Sequence, residues 1–153
     1  MRKTYIIIAV LAGIAIINAA YLSQKAYYFQ VLNEYMPNSV CDLSQTVSCS
    51  LVLQSPYAKV FGVPFPWIAL VVYPVILILA FLGARRNNSR FAKAIAIISG
   101  AGVLFNGFIM YREVALIHAF CILCFICTLI IISIFCISYA LAKKTTTNTF
   151  IHL

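Results

Sequence analysis

Residues 121–141 read CILCFICTLIIISIFCISYAL. This run holds no Asp, Glu, Lys or Arg. It is long enough to cross a hydrocarbon core of about 30 Å as a helix. At its start Cys121 and Cys124 stand three residues apart, which puts both sulfurs on one helical face, close enough to bridge. Outward from this run, three more apolar runs appear, and the spacing predicts membrane-spanning helices over about 4–22, 63–82, 94–111 and 119–141. The chain has 153 residues, is 64% hydrophobic and only 9% charged, too apolar for a soluble domain of this size. The fold class is therefore an all-α integral membrane protein. It is a four-transmembrane-helix bundle, read as a single membrane domain over 1–153 with one sizeable loop at 23–62.

The basic start Met1-Arg2-Lys3 followed by an apolar run resembles a signal peptide. The run is too long for one, however, and Tyr21-Leu22-Ser23-Gln24 offers no small-residue cleavage site, so the first span is read as uncleaved. From Lys25 to Met36, aromatic residues alternate with polar ones, which predicts a helical extension at the interface. Pro37-Asn38-Ser39 ends it. Pro64 and Pro66 suit the entrance of the second span, and Pro74 inside it predicts a kink. Gly83 to Lys93 reads as a basic hairpin, and Arg112 to His118 as a short connection in which Arg112 and Glu113 form a solvated pair.

Charge placement sets the expected topology. Arg2, Lys3, Arg85, Arg86, Arg90, Lys93, Lys143 and Lys144 fall on one side of the four spans, against Lys25, Lys59 and Arg112 on the other. The positive-inside rule then places both termini in the cytoplasm. The net charge of +8 follows membrane topology, so no nucleic-acid partner is inferred. Glu34, Asp42 and Glu113, the three acids, join the loop and the start of the last span on the outer side, where disulfides persist.

Of the six cysteines, Cys121 and Cys124 lie in the first turn of an outward-facing helix. There unpaired amides and the positive dipole end favour the thiolate that exchange chemistry needs. Cysteine is also a common packing residue in such helices. A second pair, Cys41 and Cys49, lies in the loop on the same side, and two outward pairs at membrane level suggest an electron relay. The competing readings are a structural loop disulfide with packing cysteines, and a four-thiol zinc site. The zinc site is disfavoured because nothing suggests a folded knuckle, so no metal is assigned. Cys127 and Cys136 lie deeper and read as packing. Asn18, Asn106 and Tyr73 lie within spans, where polar groups often bond between helices. Trp67 and Phe65 flank a ring or anchor the interface, and His118 stabilises a thiolate, donates a proton or closes a loop.

Cys41-Asp-Leu-Ser-Gln-Thr-Val-Ser-Cys49-Ser50, Phe61-Gly62-Val63-Pro64 and Cys121-Ile-Leu-Cys124, in this order, resemble the vitamin K epoxide reductase family, in the form of a bacterial single-domain homologue. The resemblance implies a four-helix bundle around a quinone, ubiquinone or menaquinone. Cys41 is then the outer shuttle thiol that meets a separate thioredoxin-fold (DsbA-like) protein. Cys49 attacks Cys121, and Cys124 is the thiol beside the quinone. Trp67, Thr128 and His118 are candidate quinone contacts. Thr128 stands where animal members carry a tyrosine, and residues 67–73 offer no amide where those members have an asparagine. These departures favour a plain quinone over vitamin K epoxide. Many bacterial members carry a fused thioredoxin-like domain; this chain ends at Leu153, so the partner is expected to be a separate protein. The implied function is a thiol oxidoreductase that generates protein disulfides, with its cysteines facing the periplasm or exterior of a bacterial inner membrane. The alternatives are a vitamin K quinone or epoxide reductase in a eukaryotic membrane, and a small four-span transporter or scaffold. A DsbB-type enzyme has its C-x-x-C in the first loop, unlike this chain. The transporter reading is weakened by spans with no ionisable residue away from their ends.

Overall fold

A computed structural model describes residues 1–30, 32, 42, 47–55, 58–60 and 62–151. Cys41, Glu34 and the expected helix stop at 37–39 lie outside the described residues. The elements are α1 (Arg2–Gln30), α2 (Cys49–Gln54), β1 (Lys59–Val60), β2 (Val63–Pro64), α3 (Phe65–Arg86), α4 (Ser89–Arg112), a π-helical turn (Glu113–Ile117) and α5 (Ile122–Ile151). Four of the helices are long and apolar enough to cross a membrane, as the sequence predicts.

The helices outrun the predicted spans. At 1.5 Å per residue, α1 with its 29 residues is about 44 Å long, so its aromatic end projects beyond a hydrocarbon core as a continuation of the same helix. α3 runs through Pro74, which removes the hydrogen bond to the Leu70 carbonyl. The expected hairpin at 83–93 shrinks to Asn87 and Asn88. Asn87 takes the left-handed conformation (φ 48°) and donates its N–H to the Gly83 carbonyl at 2.9 Å. The Asn88 side chain then caps α4, accepting from the Arg90 N–H at 3.0 Å.

α1 packs on α3 and α5, and α4 packs on α5 and α3. One apolar core near the α3–α4 turn includes Tyr5, Ile8, Ile76, Ile95, Ile131 and Ile134. Gly83 lets α1 and α3 close there: a Cβ on it would stand 2.5 Å from the Tyr5 ring. That ring is fully buried, and its hydroxyl donates to the Asn88 carbonyl at 2.7 Å. Ile17, Ile97 and Leu104 are 73%, 74% and 78% exposed; on spanning helices such faces meet lipid. A second core at the opposite end gathers Leu22, Val52, Leu53 and Ile109 around Cys49, Cys121 and Cys124. The β1–β2 hairpin pairs Lys59 with Pro64 and Val60 with Val63, with Gly62 at φ 81° in its turn. It leads the chain from the cysteine loop into α3.

Candidate active site

Two short features bring the loop to the mouth of α5. Val47 forms a parallel bridge with Phe120, immediately before Cys121. Ser48 caps α2, its hydroxyl accepting from the Leu51 N–H at 3.2 Å. Asp42 fixes that cap: its carboxylate accepts from the Ser48 hydroxyl at 2.6 Å, from the Ser50 N–H at 3.1 Å and from the Ser50 hydroxyl. Ser50 is thus a hydrogen-bonding residue of the loop. These bonds set the first residue of α2, Cys49, against the bundle, where it is 2% exposed and disulfide-bonded.

Cys121 is fully buried, with its sulfur 3.0 Å from the sulfur of Cys49. It stands one residue before α5, and its carbonyl accepts the Phe125 N–H at 3.0 Å, so it occupies the cap position. The Cys124 N–H points at the Cys121 sulfur, 3.4 Å away. That is the bond a serine or aspartate oxygen ordinarily accepts at a helix start. The two residues between the cysteines are what place the Cys124 amide there. Cys121 and Cys124 are free thiols.

Behind Cys121, Cys124 faces a cavity between the helices, lined largely by apolar side chains such as Leu22, Phe65, Val72 and Phe105. Polar groups on its wall are Tyr73, Asn106 and the thiols of Cys124 and Cys127. Asn106 uses one amide hydrogen on the Gly102 carbonyl at 3.0 Å, and the Tyr73 hydroxyl reaches the Cys127 carbonyl at 3.3 Å. Cys127 is more than packing: its sulfur accepts from the Asn18 side chain at 3.1 Å. Cys136, expected to pack, is instead exposed on the outer face of α5, a face that meets lipid on a spanning helix.

A scan against protein-family models matches the vitamin K epoxide reductase family over residues 6–139. That range is nearly the whole chain and includes Asp42, Cys49, Glu113, Cys121 and Cys124. The chain belongs to the vitamin K epoxide reductase family. Membership in the vitamin K epoxide reductase family, with four membrane-length helices, makes it a multi-pass membrane oxidoreductase. No curated protein matches the chain.

Cys49, Cys121 and Cys124 are brought into one cluster, while Cys41 lies outside the described residues. Three candidate contacts stand away from the cavity. Trp67 sits two positions past Phe65, about 200° around the helix, and is 39% exposed. The Thr128 hydroxyl is turned back to the Cys124 carbonyl at 2.9 Å. His118 is exposed, in a left-handed turn (φ 53°). None of the three lines the cavity.

The expected solvated pair of Arg112 and Glu113 is absent. Arg112 reaches the Lys59 carbonyl at 3.4 Å and lies over the Phe108 ring. Glu113 turns inward, 1% exposed, and accepts the Cys121 N–H at 3.3 Å. Consecutive residues of a helix do not share a face. The signal in the sequence is a lone acid ahead of the apolar run Val114–Ile117 and eight residues before Cys121.

Proposed function

We propose that the protein is a quinone-dependent thiol oxidase. It takes electrons from a reduced thioredoxin-fold protein outside the membrane and delivers them to a membrane quinone, so that the partner leaves oxidised and can introduce disulfides elsewhere. The observation that carries this reading is the 3.0 Å contact between the Cys121 sulfur and the sulfur of disulfide-bonded Cys49. Cys124 stands one turn further on, at the wall of the apolar cavity.

The partner's thiolate attacks the loop disulfide at Cys41 and releases Cys49 as a thiolate. After the partner's second thiol has resolved that bond, Cys49 attacks Cys121 in a Cys121–Cys124 disulfide, freeing Cys124. Cys41 then closes on Cys49, and Cys121 leaves as a thiol. The loop pair is oxidised again and the helix pair is reduced, which is the oxidation state of Cys49, Cys121 and Cys124 in the structure. Each step is an exchange of thiolate against disulfide along the S–S axis.

The cavity suits a quinone ring. Its wall is apolar apart from the thiols, the Tyr73 hydroxyl and the Asn106 amide. The Tyr73 hydrogen is used on the Cys127 carbonyl, while Asn106 keeps a second amide hydrogen that can donate to a carbonyl oxygen. A bound quinone supplies an acceptor for two electrons and two protons. Cys124 holds the reacting sulfur at the wall, Cys121 closes the disulfide on it, and Leu22, Phe65 and Phe105 keep water out. The distribution of basic residues supports an orientation with the loop end facing away from the cytoplasm, which in a bacterial inner membrane is the periplasm.

The test is quinone reduction by the purified protein in detergent with a reduced thioredoxin-fold dithiol as donor. Wild type is expected to turn over and Cys124→Ala to lose turnover completely. Equal rates in the two proteins, or no turnover by wild type with either ubiquinone or menaquinone, would overturn the proposal.

A further inference from the structure

Resting on the quinone-dependent reading of the thiols, we propose that Glu113 is the proton acceptor for the Cys124 thiol, in direct contact with the reacting pair. Three observations converge on it. Glu113 is 1% exposed, a rare position for a carboxyl without a charged partner. Its Oε2 accepts the Cys121 N–H at 3.3 Å, which fixes the group at the mouth of α5. Among the described residues its Oε1 is buried with no partner in hydrogen-bonding geometry, and the Cys124 thiol is close enough to the carboxyl to interact with it. A buried, unpaired acceptor beside a thiol that must lose its proton is costly as pure structure. The π-helical turn Glu113–Ile117 supplies the placement, since a wider turn re-aims the side chain that opens it; such turns recur at functional sites.

The chemistry requires such a group. Conversion of the Cys121–Cys124 dithiol to the disulfide releases two electrons and two protons. The carboxylate of Glu113 takes the proton of Cys124, leaving the sulfur electron pair for the quinone. Cys121 closes on the Cys124 sulfur and gives up its own proton. Two protons finish on the two quinol oxygens, one of them through Glu113, which returns to carboxylate. Among the described residues, the titratable groups facing this site are Cys121 and Cys124; Cys49 on α2, across from Cys121, is disulfide-bonded and does not titrate. On its own segment Arg112 turns to Lys59 and Phe108, and His118 is exposed.

Glu113→Gln separates proton transfer from positioning. The amide oxygen still accepts the Cys121 N–H but cannot take up a proton. General base catalysis contributes about 100-fold or more. Quinone reduction by the pre-reduced Gln variant is therefore expected to fall about 100-fold and to lose the acidic limb of its pH profile, with Glu113→Asp partly restoring both. A second readout needs no quinone: the pH dependence of Cys124 alkylation by a small neutral reagent, read by mass spectrometry. Glu113→Gln is expected to move that dependence to more acidic pH, because the carboxylate charge beside the sulfur disfavours the thiolate. Superimposable alkylation profiles for wild type and Glu113→Gln would overturn the role of Glu113, whatever the fate of the quinone reading. A wild type that reduces no quinone, with alkylation profiles that still separate, would overturn the quinone reading alone.

Discussion

Replacing Cys41 and Cys124 by alanine leaves Cys49 and Cys121 as the pair of thiols in contact, and their fate on oxidation follows from geometry. The two sulfurs stand 3.0 Å apart, and a disulfide needs about 2.05 Å. Closing the bond therefore takes about 1 Å of side-chain movement. Contacts of about 3–3.5 Å are near-attack geometry, for which effective concentrations reach about 10⁵ M or more. Millimolar glutathione cannot compete with that, so a mixed glutathione adduct on either sulfur is displaced by the other. The double variant, treated with oxidised glutathione in detergent, is expected to give a Cys49–Cys121 bond nearly quantitatively. Thiol blocking, tryptic cleavage and non-reducing mass spectrometry read it directly, because Arg85, Arg86, Arg90 and Arg112 lie between the two cysteines. Cys127, held by Asn18, and Cys136, on the outer face, are expected to be recovered as free thiols. Recovery of Cys49 and Cys121 as separate glutathione adducts would refute the contact and the path built on it.

The packing of α1 on α3 predicts a cost for Gly83→Ala: relieving a 2.5 Å approach to a buried, hydrogen-bonded Tyr5 costs about 2–4 kcal/mol. Alanine's helix propensity returns about 1, leaving a net loss of about 1–3 kcal/mol. Thermal unfolding in detergent measures it beside Gly13→Ala, where nothing lies within 4 Å and the melting point should hold or rise. In the loop, Asp42→Ala removes the acceptor of the Ser48 and Ser50 bonds that start α2. A loss of about 1.4 kcal/mol in holding Cys49 at Cys121 corresponds to about tenfold in rate, so dithiol-to-quinone turnover is expected to fall about tenfold. Quinone reduction by the pre-reduced helix pair should stay at the wild-type rate, and an unchanged overall turnover would count against the clamp.

The four spans were legible because hydropathy over some 20 residues is a strong signal. Their ends were not, because helices continue past the hydrocarbon wherever charged and aromatic side chains reach an interface. Gly83 illustrates the error. The expected hairpin opened at Gly83, yet the structure uses its missing side chain to admit Tyr5, and two asparagines make the turn. The thiol cluster was legible from the cysteine spacings and their order. What spacing could not supply was direction around a helix axis. Trp67 and Phe65 are equally good aromatic candidates in sequence, and only packing separates the cavity wall from the lipid face. Glu113 was missed for the same reason, since its sequence neighbour Arg112 looked like a partner. Asn106 and Tyr73 were visible as polar residues within spans, but their meeting on one cavity wall depends on how α3 and α4 are rotated.

The π-helical turn before Cys121 carries a consequence for reading descent. A turn of that kind spends one residue more per revolution than the helices on either side, so in evolutionary terms it marks an inserted position. A related chain without the insertion would present to its thiols the residue corresponding to Arg112 or Val114, not the one corresponding to Glu113. Sequences compared across this segment should therefore be registered backward from the cysteine pair. Registering them forward from the third span would turn a shared acid into an apparent loss.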